Sequence, residues 1–134
     1  MKVKWFMKKD TEHWLLYADE NLQSARVLLA SGLYNPSLQN AQQAVEKFLK
    51  AVLIEKAAGL ARTHSIRELT GFLDGNGVHL SLTDDDIDLL DSIYLPTKYP
   101  AFSVLPKFMP DQSICRQCLD IAENVRKDIL IVIS

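Results

Sequence analysis

Cys115 and Cys118 form a Cys-Arg-Gln-Cys run, the spacing of a redox pair or of half a zinc site. A second pair of ligands is missing. The chain has two cysteines, and its three histidines, His13, His64 and His79, lie in separate segments without a His-x3–5-His spacing. Cys118 also falls on an apolar stripe, where a free cysteine packs as a small hydrophobe. The pair is therefore expected to pack, with no metal and no cofactor. Glycine is too sparse for a phosphate loop: "DGNG" at 74–77 fits neither G-x-x-x-x-G-K nor G-x-G-x-x-G, and reads as a turn.

Three other groups carry chemistry. His64 immediately precedes a predicted helix, where an imidazole can bind an anion beside exposed N–H groups or simply cap and pack. Lys98-Tyr99-Pro100 sets a cation, a phenol and a rigid residue in a proline-framed stretch, either as a binding loop or with Tyr99 packed on the bundle and Lys98 solvated. The third is the polar side of "NAQQAVEKFLKAVLIEK" at 40–56, where Gln39, Gln43, Glu46, Lys47 and Lys50 share one face. Glu46 and Lys50 have the favourable i to i+4 order for an ion pair on a solvated surface. The amide run Gln39, Asn40, Gln42 and Gln43 suits an interhelical or subunit contact better.

The elements that position these groups are all helical, since no stretch sustains the alternation of a strand. The first helix is predicted from about Asp10 to Ser31, with Trp14, Ala18, Leu22, Ala25 and Leu29 as its stripe and Gly32 as its stop. The second opens with Pro36 in its first turn, carries Leu38, Ala41, Val45, Phe48, Leu49 and Val52, and pairs antiparallel with the first. Ser65 and Glu68 have capping-box spacing for a short third helix with Ile66, Leu69 and Leu73. Thr83 caps the fourth, whose Asp84, Asp85 and Asp86 answer the helix dipole; it is expected to end at Leu95 before Pro96. "PTKYPAFSVLPKFMP" then forms a structured loop. A fifth helix begins near Asp111 with Ile114, Cys118, Ile121, Val125, Ile129 and Val132. These segments predict an all-α, antiparallel, up-and-down bundle of four to five helices.

At 134 residues the chain is one domain, with a short basic arm at 1–9 holding Lys2, Lys4, Lys8 and Lys9 around Trp5 and Phe6. Its 15 basic residues against 17 acidic ones leave no overall excess for non-specific nucleic-acid binding, so any such contact must be local. No signal-peptide core or membrane-length apolar run occurs, and the protein is read as cytoplasmic, with no membrane partner.

In this order the segments resemble the HEPN domain, the nucleotide-binding-type helical domain of higher eukaryotes and prokaryotes. The resemblance rests on Trp14 with Ala18, "SGLYNPSLQNAQQAVEKFLKAVL" at 31–53, "THSIREL" at 63–69 and "YLPTKYP" at 94–100. It implies a homodimer, often encoded beside a minimal nucleotidyltransferase in toxin–antitoxin-like pairs. Some members are metal-independent endoribonucleases with an Arg followed four to six residues later by His. That spacing is absent here: Arg62 is two residues from His64 and Arg67 twelve from His79. The subgroup most similar to this chain carries Arg-Tyr-Pro where Lys98-Tyr99-Pro100 stands. Lysine keeps the charge but not the bidentate fork. The resemblance thus implies a binding and interaction module, with Lys98, Tyr99, His64 and Lys50 toward a nucleotide or RNA phosphate and Gln39, Gln43, Glu46 and Lys47 toward a subunit interface. A ribonuclease toxin using His64 and Lys98, and a ligand-free structural helper, are the alternatives.

Overall fold

The computed structural model describes residues 7–59, 61–98 and 109–134, with 95–98 by backbone alone. They form α1 (Lys9–Ala30), α2 (Tyr34–Glu55), α3 (Ile66–Gly75), α4 (Asp84–Lys98) and α5 (Gln112–Ile133), with no strand among the described residues. The helix starts follow the side chains able to satisfy orphan N–H groups. Ser65 Oγ accepts from the Glu68 N–H (3.1 Å) and Asp111 Oδ1 from the Ile114 N–H (2.9 Å). Thr83 and Asp86 cap reciprocally, each side chain accepting the other's N–H at 3.0 and 3.2 Å. At α3 the box is relayed: the Ser65 N–H donates to Thr63 Oγ1 (3.0 Å), and the Thr63 hydroxyl donates to Glu68 Oε1 (2.6 Å).

Three helices end in one way, with a residue at positive φ and a bond from the next N–H back across six residues. Leu33 N–H reaches the Leu28 carbonyl, Ala58 that of Leu53 and Val78 that of Leu73, each at 2.9 Å. The left-handed residues are Gly32 (φ 73°), Gly77 (φ 76°) and, between them in the chain, Ala57 (φ 58°). An alanine there carries a Cβ clash of about 1–2 kcal/mol that the glycines avoid. Against the predicted end at Leu95, α4 passes through Pro96 to Lys98. Proline forfeits one bond and biases the residue before it, but three established turns can absorb that loss. Residues 99–108, most of the expected loop, lie outside the described residues, as does the arm through residue 6.

α1 and α2 run antiparallel, as their cross-links show: Thr11 Oγ1 to Glu55 (2.8 Å), Asn21 Nδ2 to Gln43 (3.3 Å) and Ser37 Oγ to the Ala25 carbonyl (2.9 Å). α5 lies antiparallel to α1 through Arg126–Asp19 (2.8 Å) and Arg26–Glu123 (3.1 Å). α2 packs against all four other helices. Its burial reflects that position: thirteen of its 22 residues are buried, against four of the 22 in α1. Phe48, Leu49 and Val52 of α2 sit in one apolar cluster with Leu22, Leu69, Leu90 and Ile129, each such aliphatic side chain worth about 1.5–3 kcal/mol on burial.

Candidate functional site

Because α2 is surrounded, its polar side is not a solvated face. From the core residue Leu38 the row continues in steps of four through Gln42, Glu46 and Lys50, and all are buried: Gln42 is 2% exposed, Glu46 7% and Lys50 6%. Lys50 Nζ lies 3.3 Å from Glu46 Oε2. Its ammonium also stands 5.8 Å from the centre of the Trp14 ring on α1, within range of a cation–π attraction. Charges at this depth persist only when paired and hydrogen-bonded. Gln42 Nε2 has no hydrogen-bond partner among the described residues.

His64 closes the outer end of this row. Its Nδ1 lies 3.1 and 3.3 Å from the two Glu46 oxygens, and its ring stacks on Tyr94 of α4 at 5.2 Å with an interplanar angle of 13°. The His64 side chain is 53% exposed, whereas that of Glu46 is 9%. The backbone carrying it is fixed by Asp91 of α4, which accepts from the Ile66 N–H (2.7 Å), the Arg67 N–H (3.1 Å) and Ser65 Oγ (3.3 Å). A carboxylate from a neighbouring helix thus fills the anion-attracting N-terminus of α3. The result is a continuous line, Trp14–Lys50–Glu46–His64–Tyr94, drawn from α1, α2, the α2–α3 connection and α4. Tyr94 stands four residues, about 6 Å of helix rise, before Lys98.

Of the sequence-predicted binding residues, the structure brings His64 and Lys50 together through Glu46. Lys98 is the last residue of α4, with its side chain outside the description, and Tyr99 lies outside the described residues. Of the predicted interface set, Gln43 and Lys47 join a polar seam with α1. Lys47 Nζ donates to Asn21 Oδ1 (2.6 Å), and Asn21 Nδ2 donates to Asn40 Oδ1 (2.9 Å) as well as to Gln43. Partial burial lowers the Lys47 pKa, with Glu46 and Glu20 pulling it back up. Gln39, Gln43 and Lys47 keep partial exposure.

Sequence reasoning gave no site role to Trp14, Asp91 or Tyr94, and took a solvated ion pair as the default for Glu46–Lys50, with a polar interhelical or subunit contact as the alternative for that face. The usable signal was the row itself, since Glu46 and Lys50 continue the line of Leu38. The remaining candidates lie elsewhere. Both cysteines are buried; burial pushes the Cys118 thiol up to about 12 and raises Cys115, whose Sγ lies 3.3 Å from the Tyr34 carbonyl. His79 pairs with Asp74 at 3.1 Å. His13 lines a groove of about 320 Å³ between α1 and α5, with Leu15, Leu16, Phe48 and Leu130, that shares no residue with the His64 line. Among the described residues no three His, Cys, Asp or Glu gather as metal ligands, and no helix is long and apolar enough to cross a membrane.

A family model described as the HEPN domain matches residues 11–132. No curated protein matches the chain. Among solved structures, TT1696 from Thermus thermophilus is similar at 27% identity and a TM-score of 0.74, over 92% of this chain and 98% of that one. ST0689, described as an archaeal HEPN homologue, is similar in fold at 24% identity and a TM-score of 0.69, over 96% of this chain and 100% of that one.

Proposed function

The chain belongs to the HEPN domain family, and on that premise we propose that it is a module that binds a nucleotide or RNA phosphate and pairs, as a homodimer, with a minimal nucleotidyltransferase. One observation carries the binding half. A half-exposed imidazole is held by a buried carboxylate, stacked on an aromatic ring, one helical turn from a lysine that ends α4. Side chains so fixed lose little freedom when a ligand arrives. His64 meets the ligand, Lys98 and Tyr99 complete the contact, and Lys50 acts from behind by holding Glu46. The partner contact is assigned to the amide-rich side of α2, through Gln39, Gln43 and Lys47 with Glu46 beneath them. The cytoplasm, with its RNA, is the compartment this reading requires.

The ribonuclease alternative draws on the same Glu46–His64 contact, since a carboxylate on one imidazole nitrogen is how a general acid or base is oriented. It lacks the Arg-to-His spacing of the family's enzymes described above. Titration of short single-stranded RNA at two salt concentrations tests the module. Lys98→Ala is expected to weaken binding by about 1–2 kcal/mol and to remove about one counterion from the salt dependence, and Lys98→Arg to hold or improve affinity. Equal affinity for wild type and Lys98→Ala, or none for either, removes the ligand. Light scattering tests the dimer, and cleavage of the RNA in the presence of EDTA would favour the enzyme over the module.

A further inference from the structure

The contact between Glu46 and His64 fixes more than a ring position. Glu46 is paired with Lys50 at 3.3 Å and buried beside it. An ionised carboxylate only accepts hydrogen bonds, so the imidazole nitrogen lying 3.1 Å from it must carry a proton. That nitrogen is Nδ1. Nε2 has no hydrogen-bond partner among the described residues and belongs to a side chain 53% exposed. Lys50 already balances the Glu46 charge, so the contact requires no positive charge on His64. A neutral ring protonated at Nδ1 turns a lone pair outward at Nε2, and a lone pair receives donors; phosphate oxygens are acceptors and do not suit it.

We propose that Glu46 is the positioning residue of this site: it holds the Nδ1 proton of His64 and so presents Nε2 as an acceptor for a sugar hydroxyl or an exocyclic base amine of the ligand. The ligand half of this rests on the module reading above. Tyr94 behind the ring and Asp91 under the Ser65–Arg67 backbone restrict the imidazole to that orientation. Lys50 supplies the counter-charge to Glu46 at its depth, 3.3 Å away.

Long-range proton–nitrogen NMR spectra report which nitrogen of a neutral imidazole bears the proton. With three histidines in the chain, comparison with His64→Gln assigns the signal. The wild type is expected to show His64 protonated at Nδ1. The double variant Glu46→Leu/Lys50→Met, which removes acceptor and counter-charge together, is expected to lose that preference and to bind RNA up to about tenfold more weakly, one oriented hydrogen bond being lost. Short single-stranded RNA is expected to shift the Nε2 signal of the wild type, and inorganic phosphate to leave it in place. A DNA oligomer of the same sequence that shifts it equally identifies a base amine as the donor; one that does not identifies the sugar hydroxyl. Protonation at Nε2 in the wild type, an unchanged tautomer in the double variant, or a shift with phosphate equal to that with RNA would overturn the inference. The wild-type tautomer is read without any substitution, so a variant that fails to fold leaves the first arm decisive. RNA binding by a protein with the wrong tautomer defeats this inference alone. A protonated Nδ1 in a protein that binds no RNA defeats the module reading and the ligand half with it, and leaves the hold of Glu46 on His64 standing.

Discussion

Removing Glu46 is expected to cost far more than removing the whole ion pair. In Glu46→Leu the Lys50 residue stays buried, with 6% of it exposed, and the Trp14 ring 5.8 Å away is the contact left to its ammonium among the described residues. Stranding one member of a buried pair costs about 3–5 kcal/mol, and the cation–π contact, present in the wild type as well, offsets none of it. A loss of about 3–5 kcal/mol follows. Lys50→Met is milder, since Glu46 keeps the Nδ1 hydrogen bond of His64 and opens toward solvent through it, and about 1–2 kcal/mol is expected. Glu46→Leu/Lys50→Met removes both charges at similar volume and should lie within about 1 kcal/mol of wild type. For 134 residues the entropy of unfolding is about 0.28 kcal/mol/K, so each kcal/mol moves Tm by about 3–4 °C. Glu46→Leu should then melt about 11–18 °C below wild type, with the double variant near wild type. Urea unfolding of the four proteins closes the double-mutant cycle. If both single variants stay within about 0.5 kcal/mol of wild type, water reaches the pair and the argument from burial is refuted.

Ala57→Gly relieves the left-handed alanine at the end of α2 and is expected to add about 1 kcal/mol, read as a rise in urea midpoint at unchanged m. Asp91→Ala strips two N–H groups at the start of α3 of their acceptor; it should cost about 1–2 kcal/mol and weaken the tautomer preference of His64, visible by calorimetry and NMR together. Cys118, whose thiol is raised to about 12 by burial, favours folding fully below its ordinary value of about 9. Above pH 9 the unfolded thiol ionises while the folded one keeps its proton, so stability falls through the window from pH 9 to about 12, by up to about 4 kcal/mol in all. Unfolding curves across that range should be steeper for wild type than for Cys118→Ala, whose packing loss is constant with pH.

The helix starts were legible because caps are local. Ser65, Thr83 and Asp111 each announce a start within three residues of sequence, and each accepts the expected N–H. The end of α4 was misjudged on a local rule, since the bias Pro96 places on Leu95 is smaller than the pull of an existing helix. Ala57 could not be found at all, because alanine gives no sign of a left-handed residue. The site was half legible. His64 stood out by type, and Glu46 and Lys50 by spacing, but that their face is inward depends on α2 having neighbours on every side. Helical periodicity within α2 carries no count of the helices around it. Trp14, Asp91 and Tyr94 join the line only through long-range packing, 36, 25 and 30 residues away in sequence from the Lys50, Ile66 and His64 they meet.

The central place of α2 also sets an order of opening. Its backbone amides are shielded by four helices, so their hydrogen exchange is expected to wait on global unfolding, while α3, seated mainly on α2 and α4 among the described residues, is expected to detach at lower cost. Glu46 and Lys50 ride on the most protected element and His64 on the segment that leaves with α3. Opening of α3 would break the line between Glu46 and His64 while the ion pair stays shut, and Asp91→Ala, which frees the start of α3, is expected to speed hydrogen exchange there and not in α2.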